Sequence, residues 1–236
     1  MAIGFITILI LECMKKLNKK CKIIIQRVRL SFIQIKKDGI IAFLVKILKF
    51  VLHKSIGLDL KSEIIAERQL KKTIQKIEPR IKVTIRKATK KDLDKFRKII
   101  NETKLKLFRE RFKKGRICFI ALFQEKIIYF GWISFENEYE NICQIKIKLN
   151  KKEAYWFDCY TVPEYRQKGL HASLSTNALM YLKNKGYKKA LTVVLNNNIY
   201  SRKAFKKIGF NGKKIVTLIR LFGLKFHVWH KFRGNL

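Results

Sequence analysis

Proline is almost missing from this chain: Pro79 and Pro163 are the only two among 236 residues. Each therefore marks a place where regular backbone structure has to stop. Cysteine pairs are missing too. Cys13, Cys21, Cys118, Cys143 and Cys159 form no CxxC. An odd count without metal-ligand spacing reads as reduced thiols in a cytosolic chain and implies no metal. No apolar run approaches the roughly 20 residues that cross a bilayer. Ala2–Leu11 is too short, has no basic region ahead of it and meets Glu12 where a signal peptide would have a small-residue cleavage site. GxGxxG and GxxxxGK[ST] are both absent, which sets aside a dinucleotide fold and a P-loop. Acid is scarce as well: 17 Asp+Glu stand against 54 Lys+Arg, a formal charge of +37.

What is present is apolar enough, at 48%, to build a core. The positive excess suggests a polyanionic partner: nucleic acid, an anionic membrane surface or a phosphorylated ligand. Its distribution narrows the choice. Residues 1–80 hold 18 Lys+Arg against 6 Asp+Glu, and residues 81–236 hold 36 against 11. The density is nearly even, so there is no separate basic arm for nucleic acid. Gly39–His53 is amphipathic, with Lys46, Lys49 and His53 along one helix face. Such a helix fits the interface of an anionic membrane as well as an ordinary packed position.

Pro79 follows a polar stretch, Lys61–Ile77, that reads as helical, and precedes the alternating Ile81–Ile85. A boundary placed there divides the chain into a basic amphipathic helical N-terminal extension, 1–80, and a domain, 81–236. Lys22–Lys36 stays open between strand and helix. Downstream, Thr89-Lys-Lys-Asp92 resembles a capping box and leads into Leu93, Phe96, Ile99 and Ile100 at helical spacing. Ile117–Phe123 and Ile127–Phe135 form a hairpin signal, and Glu136–Asn141 reads as an acidic loop. Cys143–Leu149 alternates, and Ala154–Val162 is a strand closed by Pro163. A helix stopping at Gly186, a strand at Ala190–Leu195, a helix at Asn198–Ile208 and two strands around Gly223 complete the order. This is an α/β fold with a mixed sheet. Trp132 and Trp156 are expected in its core.

The segment Val162-Pro-Glu-Tyr-Arg-Gln-Lys-Gly-Leu-His-Ala172 joins a strand to a helix. A helix start offers unsatisfied N–H groups and positive dipole character, and Arg166 and Lys168 beside it strengthen an anion site. Gly169 lets backbone approach a phosphate closely. With its Val162-Pro163-x-Tyr165 lead-in, Arg166-Gln-Lys-Gly169-Leu-His171 resembles the [RQ]-x-x-G-x-[GA] turn of the GNAT N-acyltransferase superfamily. A second motif, N-x-x-[AS]-x-x-x-[YF]-x-x-x-G-F, is matched by Asn198, Ser201, Phe205, Gly209 and Phe210. The resemblance covers about Ile81 to Phe226. It implies a GNAT-like, mostly antiparallel sheet flanked by helices, and transfer of acetyl from acetyl-CoA to an amine in a ternary complex. Two positions depart from the pattern. His171 takes the second Gly/Ala place, and Phe205 stands where many members carry a proton-donating Tyr. Asp158-x-Tyr160-Thr161-x-Pro163, with Tyr155 three residues ahead of the Asp instead of two, resembles the Tyr-x-Asp-x-Tyr-Thr-x-Pro lead-in of members from polysaccharide gene clusters.

By the same resemblance, the backbone from Arg166 through Gln167, Lys168, Gly169, Leu170 and His171 to Ala172 holds the coenzyme diphosphate. The strand edge at Tyr160, Thr161 and Val162 pairs with the pantetheine amides. Asn198, Ser201 and Phe205 border the same ligand. A main-chain N–H near Tyr160 serves the oxyanion. Asp158 is the first candidate base, or else a structural carboxylate paired with a lysine; Glu136 is the second. Cys159 is expected to pack rather than react. The expected acceptor is a small-molecule amine, such as an amino sugar or surface-polysaccharide precursor. A cytoplasmic location with peripheral contact on the inner membrane face fits the composition. The other reading is a non-catalytic GNAT-like protein bound to RNA or an anionic membrane.

Overall fold

Alternation of apolar and polar residues resolves into ten strands among the described residues, which are 58–221, 224–234 and 236 of a computed structural model. The expectations for Ala2–Leu11, Lys22–Lys36 and Gly39–His53 lie outside those residues. Leu60–Ile219 with Lys225–Leu236 makes one unit, described below. The other, Met1–Asp59 with Arg220–Leu224, falls almost wholly outside the described residues. Among the described residues no helix is long and apolar enough to cross a membrane.

The strands are β1 (Asp59–Gln69), β2 (Thr84–Lys87), β3 (Ile117–Phe123), β4 (Lys126–Ser134), β5 (Glu138–Glu140), β6 (Ile145–Ile147), β7 (Glu153–Thr161), β8 (Lys189–Leu195), β9 (Asn211–Leu221) and β10 (Leu224–Lys231). Eight of them form one sheet in the order β10-β9-β1-β8-β7-β4-β3-β2, while β5 and β6 pair with each other. Pairings β2–β3, β3–β4, β4–β7 and β1–β8 are antiparallel; β7–β8 is parallel. The sheet is thus mixed and mostly antiparallel, as the sequence implies. The β3–β4 hairpin turns on Gln124 and Glu125, both with positive φ, the two-residue geometry that matches strand twist.

Among the described residues four helices cover the sheet: α1 (Leu93–Arg97), α2 (Glu102–Lys113), α3 (Leu170–Asn184) and α4 (Ile199–Lys207). One face packs Ile64, Ala66, Tyr129, Trp156, Ala190 and Val194 against Leu174, Ala178 and Leu182 of α3 and Phe205 of α4. On the other, Phe96 of α1 and Leu105 and Phe108 of α2 meet Phe130 and Trp132 of β4. Edge-to-face contacts at 4.8 to 5.7 Å lock Phe96, Phe108, Phe130 and Trp132 together. Beside them, Cys143, Ile145 and Ile147 of the β5–β6 hairpin pack on Tyr155, Val216 and Leu218. Trp132 and Trp156 are both core residues, as expected.

Within Glu136–Asn141, read as an acidic loop, Glu138–Glu140 pairs with β6 as strand β5, and two larger expectations need correction. Lys61–Ile77 is not a helix: its first half is β1, paired from Glu63↔Leu195 to Gln69↔Lys189 with β8. Burial of Ile64 and Ala66 between β8 and β9 outweighs the polar, helix-favouring composition. Its second half runs back over α3, where Ile77 N donates to Thr176 Oγ1 at 3.4 Å. The boundary drawn at Pro79 consequently falls inside one compact unit. The other correction concerns Leu93–Ile100, which ends as short α1. Asn101 then starts a separate helix by accepting from Lys104 N at 2.9 Å. The capping box before α1 is present, with Thr89 N donating to Asp92 Oδ2 at 2.8 Å. Hydrogen bonds from Arg86 at 2.6 and 2.8 Å, opposed by burial, hold the Asp92 carboxyl down to about 2.

Candidate active site

The strand-to-helix loop is built by three local constraints. Pro163 opens a single 3-10 turn, Pro163–Tyr165, directly after β7. Gln167 (φ 61) and Gly169 (φ 77) then take left-handed conformations, which aim successive amides outward ahead of α3. Gly169 suits this φ, and a Cβ there would stand 3.7 Å from Pro79 Cα. The chain's two prolines thus meet at one loop. Arg80 N donates to Lys168 O at 2.8 Å, which fixes the loop from the N-terminal side and brings a third cation beside Arg166 and Lys168. Among the described residues, no backbone acceptor engages the amides of Gln167 through Ala172. Free amides, the start of a 15-residue helix and exposed cations fit a diphosphate.

Next to this cradle the sheet opens. β7 and β8 pair only at Glu153↔Lys189, Ala154↔Ala190 and Tyr155↔Leu191. Each strand is held on its far side, β7 by β4 as far as Thr161 and β8 by β1 as far as Leu195. From Phe157 onward, β7 therefore presents an edge with no β8 partner, including the predicted Tyr160 and Thr161. A bulge sits on this edge: Asp158 and Cys159 together oppose the single Gly131 of β4, and Asp158 takes φ 46. Glycine is needed at 131, since a Cβ would come within 2.5 Å of the Trp156 ring.

The bulge turns Asp158 toward α2. Its Oδ1 accepts from Lys104 Nζ at 2.8 Å and its Oδ2 from Arg111 at 2.5 Å. The Arg111 guanidinium also covers the Phe157 ring at 4.7 Å. Asp158 is thus a paired carboxylate, the second of the two roles open to it from sequence. Tyr160 packs its ring on Phe130 at 5.5 Å. Cys159 is kept a neutral thiol, pushed up to about 12 chiefly by burial, which fits the packing role expected for it.

His171 points inward rather than at the cradle. Its Nδ1 lies 2.8 Å from Tyr129 Oη, its edge meets Phe205 at 4.8 Å, and burial lowers its pKa to about 4. Phe205 itself is buried against His171 and Phe210. The asparagine of the second motif is a helix cap: Asn198 Oδ1 accepts from Ser201 N at 3.0 Å.

A sequence profile decides the family. That of the acetyltransferase (GNAT) family matches residues 85–210, more than half of the chain. The chain belongs to this family. No curated protein matches it. Solved structures do: a Drosophila protein at 12% identity, with TM-score 0.50 over 77% of this chain and 58% of that one. A GNAT-family acetyltransferase from Colwellia psychrerythraea matches at 14% identity, TM-score 0.49, over 69% and 55%. The aminoglycoside N-acetyltransferase AAC(6')-Iy in complex with CoA matches at 21% identity, TM-score 0.41, over 54% and 91%. This chain spans about three fifths of the length of the first structures it matches. The GNAT segment runs from β2 to Phe210, so β1, β9 and β10 lie outside the match.

Beyond the loop, Glu136 is exposed just after β4, with its amide on Ser134 Oγ at 3.3 Å. On the α2 side of the GNAT sheet, buried Glu63 of β1 accepts from Cys143 N at 3.0 Å. Burial and then nearby Glu140 push it up to about 7. Tyr155 Oη donates to Glu140 at 3.1 Å, and His227 Nε2 lies 2.7 Å from Cys143 O. Sequence reading missed Glu63, Lys104, Arg111 and Tyr129. For the α2 pair a signal existed: Asn101 followed by Leu105, Phe108 and Phe112 at helical spacing.

Proposed function

We propose that this GNAT protein is an N-acetyltransferase moving acetyl from acetyl-CoA directly to the amine of a small molecule. One juxtaposition carries the reading: an anion cradle at Gln167–Ala172 opening onto the unpaired edge of β7. The cradle amides with Arg166, Lys168 and Arg80 would take the diphosphate. The edge from Phe157 to Thr161 offers main-chain groups to the pantetheine arm in the manner of an added strand, but the predicted Val162 offers none, since its N donates to Ile128 O at 2.9 Å and its O accepts from Tyr165 N at 3.0 Å. The bulge at Asp158 directs main-chain N–H near Tyr160 at the carbonyl oxygen of the thioester. Asp158, with both oxygens engaged by cations, shapes the bulge and anchors α2 instead of taking the proton. Glu136, exposed at the end of β4, is the proton acceptor in this scheme.

The acceptor we favour is an amino sugar or surface-polysaccharide precursor, supported by the resemblance of Tyr155–Pro163 to members from polysaccharide gene clusters. Peripheral contact with anionic lipid through Gly39–His53 belongs to the same reading, and flotation with anionic liposomes checks it. The enzyme reading is tested by unfolding with acetyl-CoA, where one hundred times Kd gives about 2.7 kcal/mol of stabilisation. Thiol release is then followed across amino sugars and other amines. No stabilisation at millimolar acetyl-CoA contradicts the reading. Binding without thiol release from any amine favours a binding role, for which the hydroxyl-free Phe205 already speaks.

A further inference from the structure

Acid stops at Glu164: residues 165–236 hold 16 Lys+Arg and no Asp or Glu. Within that stretch β9 and β10 close one side of the sheet, with β10 at its edge and Phe232 N donating to Lys213 O at 2.9 Å. Lys214, Lys225, Lys231 and Arg233 are exposed on this pair, and none has a carboxylate partner among the described residues.

The same edge carries large apolar side chains that the core does not use. Phe226 and Trp229 are each 49% exposed, and Leu60 of β1 is 47% exposed. Alternation places them. His227 Nε2 lies 2.7 Å from Cys143 O, so His227 and Trp229 share the side of the β5–β6 hairpin, while Phe226 and Val228 take the other. Val216 and Leu218 pack with that hairpin, which turns Thr217 and Ile219 to the side of Phe226. Thr217 Oγ1 donates to Ser62 Oγ at 3.2 Å, and Leu60, two residues before Ser62, has the same side. Leu60, Ile219, Phe226 and Val228 thus share one flank of the edge, and Trp229 stands on the other.

Apolar side chains beside unpaired cations fit an anionic bilayer. Nucleic acid would use the cations and leave the aliphatic flank unused. A second copy is opposed by charge: pairing β10 with itself about Val228 would set Lys225 against Lys231. The free N–H and C=O groups of an edge strand do not enter hydrocarbon. Contact is therefore limited to the headgroup layer, where tryptophan is favoured.

We propose that the β10 edge is a peripheral docking surface for anionic lipid. Leu60, Phe226 and Trp229 sit at the acyl boundary, and Lys214, Lys225, Lys231 and Arg233 meet the lipid phosphates. This surface depends neither on the acetyl-CoA reading nor on the contact assigned to Gly39–His53.

Trp132 and Trp156 are buried, so Trp229 is the tryptophan whose emission a surface contact changes. The full chain is mixed with vesicles of phosphatidylglycerol and phosphatidylcholine, and with phosphatidylcholine alone. Emission should move to the blue, and be quenched by lipid brominated high on the acyl chain, with the anionic vesicles only and less at high salt. Trp229→Phe should lose the emission change and keep flotation. Phe226→Asp should abolish the emission change, and Lys225→Gln with Lys231→Gln should weaken binding about tenfold or more. Unfolding midpoints at the wild-type value show that these variants are folded. Flotation without any change in Trp229 emission places the contact elsewhere and overturns the proposal. No flotation overturns it too, as does tighter binding to single-stranded RNA than to vesicles, or a dimer that Phe226→Asp dissolves.

Discussion

Replacing Glu63 by Gln should stabilise the protein above neutral pH, although it alters a fully buried group that accepts a hydrogen bond. Burial beside Glu140 raises the Glu63 pKa from 4.5 to about 7, so the folded state holds a proton that the unfolded chain releases. The stability linked to this group is fully present below pH 4.5 and is lost as pH rises through about 7. At about 1.4 kcal/mol per pH unit the loss approaches roughly 3 kcal/mol. Gln can still accept from Cys143 N through its carbonyl oxygen and turns a donor toward Glu140 in place of a charge. His171 has the opposite sign. Its depressed pKa gives stability that is present above 6.5 and lost as pH falls through about 4. In the window between 4.5 and 6.5 the two slopes oppose each other and the wild type should look nearly flat. Urea unfolding followed by tryptophan fluorescence from about pH 5 to about pH 8.5 separates them. Glu63→Gln should match the wild type near the acid end and exceed it by up to about 3 kcal/mol at the alkaline end. A variant less stable than wild type at every pH would refute the reasoning and show a charged, well-solvated Glu63.

Asp158→Ala should cost about 3 kcal/mol by leaving the largely buried Arg111 guanidinium without a partner, as denaturant unfolding would measure. Ile64→Ala should cost about 2–4 kcal/mol, because Ile64 is fully buried in the main core; a surface-like loss below about 0.5 kcal/mol would remove β1 from that core. Gly169→Ala keeps ordinary contact with Pro79 but forces a side chain into φ 77, and should weaken coenzyme A binding with a stability loss of about 1 kcal/mol. Neutralising Arg166 together with Lys168 should weaken coenzyme A binding strongly at low salt and little at high salt, since both cations are exposed.

The loop and the strands around it were readable because local rules govern them: Pro163 stops β7, Gly169 takes a positive φ, and Asn198 caps α4. Long-range pairing was not readable. Nothing near Ile64 says that β8 lies beside it, and a lysine-rich stretch without neighbours reads as a helix. The bulge at Asp158 escaped for a similar reason, since its cause is Gly131 on another strand. The Tyr129–His171 bond joins residues 42 positions apart, so only the unusual histidine was visible beforehand. Pro79 lies within one compact unit and braces the loop that Pro163 opens, a contact that no local pattern announces.

The central claim is that Gln167–Ala172 and the open edge of β7 hold acetyl-CoA. Backbone amide NMR of the protein during titration with acetyl-CoA tests it most directly. The account predicts saturable shifts concentrated at Gln167–Ala172 and Asp158–Val162, weakened by Gly169→Ala. Shifts that spare both segments, or none at millimolar ligand, would contradict it.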